Sequence, residues 1–309
     1  MPPLLVIGGP TATGKTALAV RLARAFDGEI VGADARQIYR GLDVGAGKAR
    51  PSELRGVVHH LLDVATPDES FTVTQYAKLA TRAILDIQRR GKLPILTGGA
   101  GLYIRAVVDG LLPPQVPPQP ALRAQLEQRW QIDRDDLLRE LATRDPVAAQ
   151  RIDRHNSRRV IRALEVVLTT GHAFSDQQRL EPLAATTCML ALTAERPLLH
   201  RLADQRIDAM LAAGLVEEVR RLLAAGYDFS LPAFTAVGYR ELAAYLGGAG
   251  DLSEVRQQMQ RATHAYQRRQ LTWFRADQRY HWLDVAAADV AEAALRLVAA
   301  WRDELAGQA

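Results

Sequence analysis

The sequence predicts an α/β fold: a P-loop parallel-sheet core with helices on both faces, plus a helical insertion domain. Three observations predict it. Short apolar runs alternate with helical patterns through the first hundred residues, a glycine-rich octapeptide stands between the first run and the first helix, and a proline-dense segment gives way to arginine-rich helical periodicity. Such alternation implies β-α-β units, because parallel strands need a crossover between them.

In chain order, strands are expected at residues 4–9, 29–34, 59–64 and 94–99, with helices at 15–26 and 72–91. Ligands on such a sheet sit at the carboxyl ends of the strands, here Gly9, Asp34, Asp63 and residues 97–101. The segment 111–120, Leu-Leu-Pro-Pro-Gln-Val-Pro-Pro-Gln-Pro, can neither continue a helix nor pair in a central strand and marks a boundary. Arginines and acids interleaved at helical spacing over 123–162 then read as the insertion. Residues 188–192 read as a return strand, followed by helices at 197–225, 252–274 and 290–305. The expected organisation is a catalytic core in two parts, 1–112 and 184–309, interrupted by an insertion over 113–183.

Composition narrows the class. With 309 residues, 48% hydrophobic and 24% charged, the chain is globular. No run approaches the ~18 apolar residues of a membrane helix, and the N-terminus has no basic leader, so a soluble cytoplasmic protein with no membrane partner is expected. Cys188 is the only cysteine, which excludes a disulfide framework, a thiolate zinc cluster and a Cys-x-x-Cys redox centre. The net charge of +4 is modest, but arginine far outnumbers lysine, which favours bidentate phosphate and stacking contacts.

Gly9-Pro10-Thr11-Ala12-Thr13-Gly14-Lys15-Thr16 matches G-x-x-x-x-G-K-[ST] directly after an apolar strand and directly before a helix. In that context the backbone N–H groups and the helix N-terminus cradle phosphate, Lys15 neutralises it, and the Thr16 hydroxyl can ligate Mg²⁺. The motif implies a di- or triphosphate without saying which organic group carries it. Asp34, at the end of the second strand, is placed to accept a proton from a nucleophile, or else to cap a turn or stand behind the metal. Between Arg256 and His281, arginines alternate with Tyr266, Trp273, Phe274 and Tyr280, which suits phosphate grip and base stacking, or else a helix with an aromatic core face. His59 and His60 are adjacent on a strand and point to opposite faces, which argues against a shared metal site.

Beyond the P-loop, Asp34-Ala35-Arg36-Gln37-Ile38-Tyr39, His59-His60-Leu61-Leu62-Asp63, Gly98-Gly99-Ala100-Gly101-Leu102-Tyr103, Arg158-Arg159-Val160-Ile161-Arg162, Ala236-Val237-Gly238-Tyr239-Arg240-Glu241 and Arg268-Arg269-Gln270-Leu271-Thr272-Trp273 stand in the order in which the tRNA dimethylallyltransferase (tRNA isopentenyltransferase) family carries similar blocks. The chain resembles that family over residues 4–285. The resemblance implies a prenyltransferase; Mg²⁺ is expected at the P-loop, and a monomer is expected because nothing in the sequence demands an oligomer. The enzyme would move the dimethylallyl group of dimethylallyl diphosphate to N6 of adenosine 37, beside the anticodon, in tRNAs reading codons that begin with U.

The resemblance also implies roles. Asp34 takes the proton of the attacking amine, residues 9–16 hold the diphosphate, and Arg206 reaches it from the other side. The anticodon stem-loop is touched by Asp34, Ala35, Arg36 and Gln37, by Ala100, by Arg123, by Arg158, Arg159, Val160, Ile161 and Arg162, and by Thr235, Ala236, Val237, Gly238, Tyr239 and Arg240. Three hydroxyls usual in the family are missing, at Ala35, at Ala100 and in Gly45-Ala46-Gly47-Lys48, which implies either a slower enzyme or compensation by the nearby hydroxyls of Thr11, Thr13 and Thr97. Competing readings are an adenylate isopentenyltransferase, which uses the same cradle with a free nucleotide, and an ATP-binding P-loop kinase or NTPase acting on RNA.

Overall fold

The structure, a computed structural model, describes residues 1–177, 179–180 and 182–307 of the chain. It divides into two compact units, Met1–Val107 with Leu183–Ala309, and Val108–Pro182.

The first unit begins with β1 (Pro3–Gly8), α1 (Lys15–Ala25), β2 (Gly28–Gly32), α2 (Pro51–Leu54), β3 (His59–His60), α3 (Val73–Arg89), β4 (Leu93–Thr97) and α4 (Gly101–Val108). In the second unit, β5 (Leu111–Leu112) is followed by α5 (Pro120–Ile132), α6 (Arg134–Arg144), α7 (Pro146–Arg151), α8 (Ser157–Thr170) and β6 (Arg179–Leu180). The chain then completes the first unit with β7 (Thr186–Thr193), α9 (Arg196–Ala212), α10 (Leu215–Ala224), α11 (Leu242–Leu246), α12 (Leu252–Arg275), β8 (Tyr280–Asp284) and α13 (Val290–Gly307).

Six strands form one sheet in the order β3-β2-β4-β1-β7-β8, every neighbouring pair parallel. The central strands β1, β2 and β4 are buried almost throughout and, apart from Glu29 and Thr97, carry no polar side chain, because a parallel sheet is covered on both faces. Leu5 and Ile7 join Leu18 and Leu22 of α1 and Ala294 and Val298 of α13 in one core. Leu4 and Val6, which point to the other face, are equally buried. A separate core joins the segment after β2 (Ile38, Tyr39, Leu42) to α9, α10 and α12 through Ile207, Val219, Phe234 and Met259.

The second unit is a small helical body cored by Leu126, Leu137, Leu141, Val160, Ile161 and Leu164. Three of its helices start on side-chain caps, Asp133, Asp145 and Asn156, each accepting an N–H of the first turn. Its limits fall at residues 108 and 182, against 113 and 183 from sequence. The prolines do not open it, because Leu111 and Leu112 already pair antiparallel with residues 180 and 179.

Four expectations need correction. The strand expected over 59–64 stops at His60, because Leu61 and Asp63 take left-handed φ values of 66° and 57° and turn the chain away. The helix expected over 197–225 breaks at Gly214, whose φ of 95° ends α9 and caps α10. An unforeseen strand, β8, extends the sheet beyond β7; only Tyr280 and Leu283 of its five residues are buried, so neither alternation nor an apolar run marked it. The stacking platform read into the stretch from 256 to 281 is partly core: Phe274 and Tyr280 are buried and meet edge to face, their centroids 5.4 Å apart.

Phe274 lies so close to β1 that a Cβ at Gly8 would stand 2.5 Å from its ring. Replacing Phe274 with Ala is expected to destabilise the protein by about 3–5 kcal/mol in urea unfolding, the cost of an aromatic cavity, where an exposed stacking residue would cost within about 0.5 kcal/mol.

Candidate active site

A cleft of about 1410 Å³ opens in the first unit at the carboxyl ends of β1, β2 and β4. Thr11, Ala12 and Gly14, of the loop over residues 9–14, line it. Gly9 has φ 130° and packs against β7 so closely that a Cβ would stand 2.5 Å from the Leu192 carbonyl oxygen. Ala12 is held at φ 66°, a strained conformation for a residue with a side chain. Gly14, at φ 82°, begins α1 without any side-chain cap, so the first N–H groups of the helix are left for an anion.

Two glutamines of α12, absent from the sequence-derived site, fix this loop. Gln270 accepts the Thr11 N–H at 2.9 Å and donates to the Gly99 carbonyl at 3.0 Å. Gln267, one turn earlier, donates to the Thr11 carbonyl and to the Leu199 carbonyl, both at 3.0 Å. Both ends of the Thr11 residue are therefore held by one helix, and the same helix holds the turn after β4. Glycine is required in that turn: a Cβ at Gly99 would stand 2.2 Å from Gln270 Nε2, and one at Gly98 would stand 2.0 Å from the Ala33 oxygen. The available signal was a pair of amide side chains three residues apart on a buried helix face, where an unpaired polar group is costly.

Lys15, Asp34 and Arg206 share the cleft. Lys15 Nζ donates to the Pro10 carbonyl at 2.6 Å, and Thr13 Oγ1 donates to the same oxygen at 2.8 Å. The Lys15 pKa is lowered to about 7, chiefly by burial and next by Arg206, with Asp34 opposing both. Burial also lowers the pKa of Arg206, against the pull of Asp34. Lys15 and Arg206 thus share a partly buried cleft in which burial disfavours their charge and Asp34 favours it, an arrangement that a multiply charged anion would relieve.

Asp34 Oδ1 accepts the N–H groups of Arg36, at 2.8 Å, and of Gln37, at 3.4 Å, forming a side-chain-capped turn just past β2. Oδ2 takes part in neither bond. The turn aims Gln37 Nε2 at the carbonyls of Ala46 (3.3 Å) and Gly47 (3.2 Å), and Arg206 Nη2 reaches the same Ala46 carbonyl at 3.4 Å.

Of the hydroxyls expected to substitute for the missing ones, Thr97 donates to the Ile7 carbonyl at 3.2 Å and Thr13 to Pro10. Their protons therefore secure backbone; Thr11 and Thr97 line the cleft, whereas Thr13 does not. Thr16 lines it as well. Among the described residues no cluster of three or more His, Cys, Asp or Glu is arranged to hold a metal ion. The Thr16 hydroxyl is a group that could hold a Mg²⁺ beside a bound phosphate.

The residues expected to touch RNA separate into two groups. In the first unit, Arg36 Nη1 donates to the Pro232 carbonyl at 2.9 Å, and Thr235 Oγ1 donates to the same oxygen at 2.7 Å, so the turn after Asp34 and the 235–240 segment meet. Thr235 and Arg240 are exposed, Ala35 and Val237 partly so, and Ala100 donates its N–H to the Ala33 carbonyl at the start of α4. Tyr239, Ala236 and Gly238 are buried. In the second unit, Val160 and Ile161 belong to the buried core. Arg123 and Arg162 both donate to buried Glu165, at 2.7 and 2.6 Å, and Arg162 also donates to the carbonyls of Pro114 and Val116. Arg158 and Arg159 remain exposed.

The IPP transferase family model matches residues 37–277. The tRNA dimethylallyltransferase of Roseiflexus sp. (strain RS-1) is 45% identical over 98% of this chain and 100% of its own length. That of Roseiflexus castenholzii is 48% identical over 89% of this chain and 90% of its own. Among solved structures, the full-length tRNA isopentenylpyrophosphate transferase of Bacillus halodurans is 36% identical, covers 92% of this chain and 90% of its own, and superposes with a TM-score of 0.68. A eukaryotic dimethylallyltransferase acting on tRNA shares the fold at a TM-score of 0.81 with 24% identity, over 99% of this chain and 80% of its own.

The lowered Lys15 pKa has a measurable sign. An unfolded chain keeps the lysine proton up to about pH 10.5, whereas the folded protein releases it near 7, so this group adds stability as pH rises from 7 to 10.5. An anion in the cleft favours the charged form. Calorimetric titration with inorganic diphosphate at pH 8, in buffers of different ionisation enthalpy, is expected to show proton uptake that Lys15→Met removes. Equal uptake in both proteins would place the proton elsewhere.

Proposed function

The chain belongs to the IPP transferase family, and from that premise we propose that it transfers the dimethylallyl group of dimethylallyl diphosphate to N6 of adenosine 37 in tRNAs reading codons that begin with U. The observation that carries this reading is the charge arrangement of the cleft: two partly buried basic side chains, Lys15 and Arg206, beside an uncapped helix N-terminus and the Asp34 carboxylate. That arrangement suits a diphosphate leaving group on one side and an amine nucleophile on the other.

In the proposed reaction the N6 lone pair attacks C1 of the dimethylallyl group, and the C1–O bond breaks with its electron pair leaving on the diphosphate. Charge therefore grows on the phosphate oxygens as the transition state forms. Lys15, Arg206 and the amides at the start of α1 stabilise that growing charge. A Mg²⁺ held by the Thr16 hydroxyl and the phosphate oxygens would add Lewis-acid neutralisation of the leaving group. Asp34, fixed by its turn, orients the amine through Oδ2 and accepts the proton that N6 must lose.

Reaching such a cleft requires the target base to leave its stack, which a loop nucleotide does at lower cost than a paired one. Exposed Thr235 and Arg240, and in the helical unit exposed Arg158 and Arg159, are proposed to grip the anticodon stem-loop, chiefly through phosphates. A substrate of this kind implies a cytoplasmic enzyme. Nothing in the reaction requires a second copy, so a monomer is proposed. Among the described residues no helix is long and apolar enough to cross a membrane.

The test is direct. Purified protein, Mg²⁺, dimethylallyl diphosphate and unmodified tRNA reading U-initial codons are expected to yield N6-isopentenyladenosine by nucleoside mass spectrometry. Asp34→Ala is expected to lower the rate by about 10²–10⁴-fold, the usual contribution of a positioned base. Prenylated AMP in place of prenylated tRNA, or ATP consumption without prenyl transfer, would overturn the reading in favour of a free-nucleotide transferase or a phosphoryl-transfer enzyme.

A further inference from the structure

Glu218 is an acid that the proposed chemistry does not use, and its side chain is 0% exposed. It lies in the first turn of α10, where the helix N-terminus favours negative charge. Its two oxygens accept four hydrogen bonds. Oε2 takes the N–H groups of Asp43 and Val44 at 2.8 and 2.6 Å, and Oε1 takes the Gly45 N–H at 3.0 Å and the Tyr239 hydroxyl at 2.7 Å.

The loop pinned in this way continues into Ala46 and Gly47, whose carbonyls receive Gln37 Nε2 and Arg206 Nη2. Side chains are excluded on both sides of it. A Cβ at Gly45 would stand 2.5 Å from the Tyr239 ring, and one at Gly47, where φ is 60°, would stand 2.0 Å from Arg206 Nη2. Lys48 closes the far end by donating to the Tyr39 carbonyl at 2.7 Å, to Asp43 at 2.7 Å and to Asp63 at 2.5 Å. The loop has one tight fit, and Glu218 sets where its carbonyls lie.

We propose that Glu218 is a positioning residue for both halves of the site. Through residues 43–47 it fixes Arg206 on the diphosphate side and Gln37 on the RNA side, so one buried carboxylate keeps the two substrates in register. The RNA half of this inference rests on the function proposed above. A carboxylate can accept four donors at once; an amide in its place turns an N–H₂ group toward backbone N–H groups and pushes the loop away. A displaced Ala46 carbonyl no longer holds either side chain.

The experiment is to measure, in Glu218→Gln, the affinity for inorganic diphosphate by calorimetry and the kcat and KM for tRNA, each per correctly folded molecule. Diphosphate binding is expected to weaken at least about 10-fold and the tRNA KM to rise at least about 3-fold, with kcat falling as well. Val219→Ala, which loosens the same buried cluster on α10 and leaves the carboxylate with all four donors, is expected to change each constant by less than about 3-fold. A Glu218→Gln protein that melts earlier yet keeps both constants would overturn the proposal, since a merely structural residue moves only the folded fraction. If Glu218→Gln does not fold, Glu218→Asp, which draws the charge back by one methylene, decides by the same constants. The diphosphate arm needs no turnover. A protein that makes no prenylated tRNA but whose diphosphate affinity still depends on Glu218 would overturn the assigned reaction and leave the placement of Arg206 supported.

Discussion

The cleft is organised around an electrostatic conflict: Lys15 and Arg206, both partly buried, share one cleft in which burial disfavours their charge and Asp34 favours it. Like charges held close in a partly buried cleft repel, so such a pair persists only where the surrounding structure leaves the side chains no better position. Each surrounding element has that effect. The strained loop over residues 9–14 draws Lys15 back onto the Pro10 carbonyl. Gln267 and Gln270 tie that loop to α12 and to the turn after β4. The loop over 43–47, pinned by Glu218, places a carbonyl against Arg206. An anionic substrate relieves the conflict, and a leaving group whose charge grows during reaction relieves it further, which links the free protein's strain to catalysis.

Much of this was legible in the sequence. A strand, a glycine-rich turn and a helix in direct succession dictate a phosphate cradle, because no other local structure points so many N–H groups one way. The β-α-β alternation dictated a parallel sheet, and it placed Asp34 at a carboxyl end beside the cradle. The less legible parts depend on distant partners. Nothing local announces that Gln270 will meet Thr11, 259 residues away, or that Glu218 will meet Val44, 174 residues away. The helical pattern over 197–225 hid a break that only the left-handed φ of Gly214 makes, and the edge strand β8 carries no period. Burial was the other blind spot: Tyr239, Val160 and Ile161 stand in blocks that resemble an RNA-binding family, yet their side chains hold cores together.

The missing hydroxyls are clarified by the same geometry. Ala46 contributes its carbonyl, an atom that every residue type supplies, and Ala100 contributes a backbone N–H to the Ala33 carbonyl. At both positions the contact that shapes the site is made by backbone, so the loss of a side-chain oxygen leaves the framework standing. The hydroxyls of Thr13 and Thr97 hold backbone in turn and belong to that framework.

The most direct measurement is a crystal structure of the protein with an unreactive thiolo analogue of dimethylallyl diphosphate and an anticodon stem-loop carrying the target adenosine. The account predicts the diphosphate between Lys15 and Arg206, and the adenine N6 within hydrogen-bond distance of Asp34 and in line with the scissile bond. A diphosphate bound away from Arg206, or an N6 that faces any group other than Asp34, would contradict it.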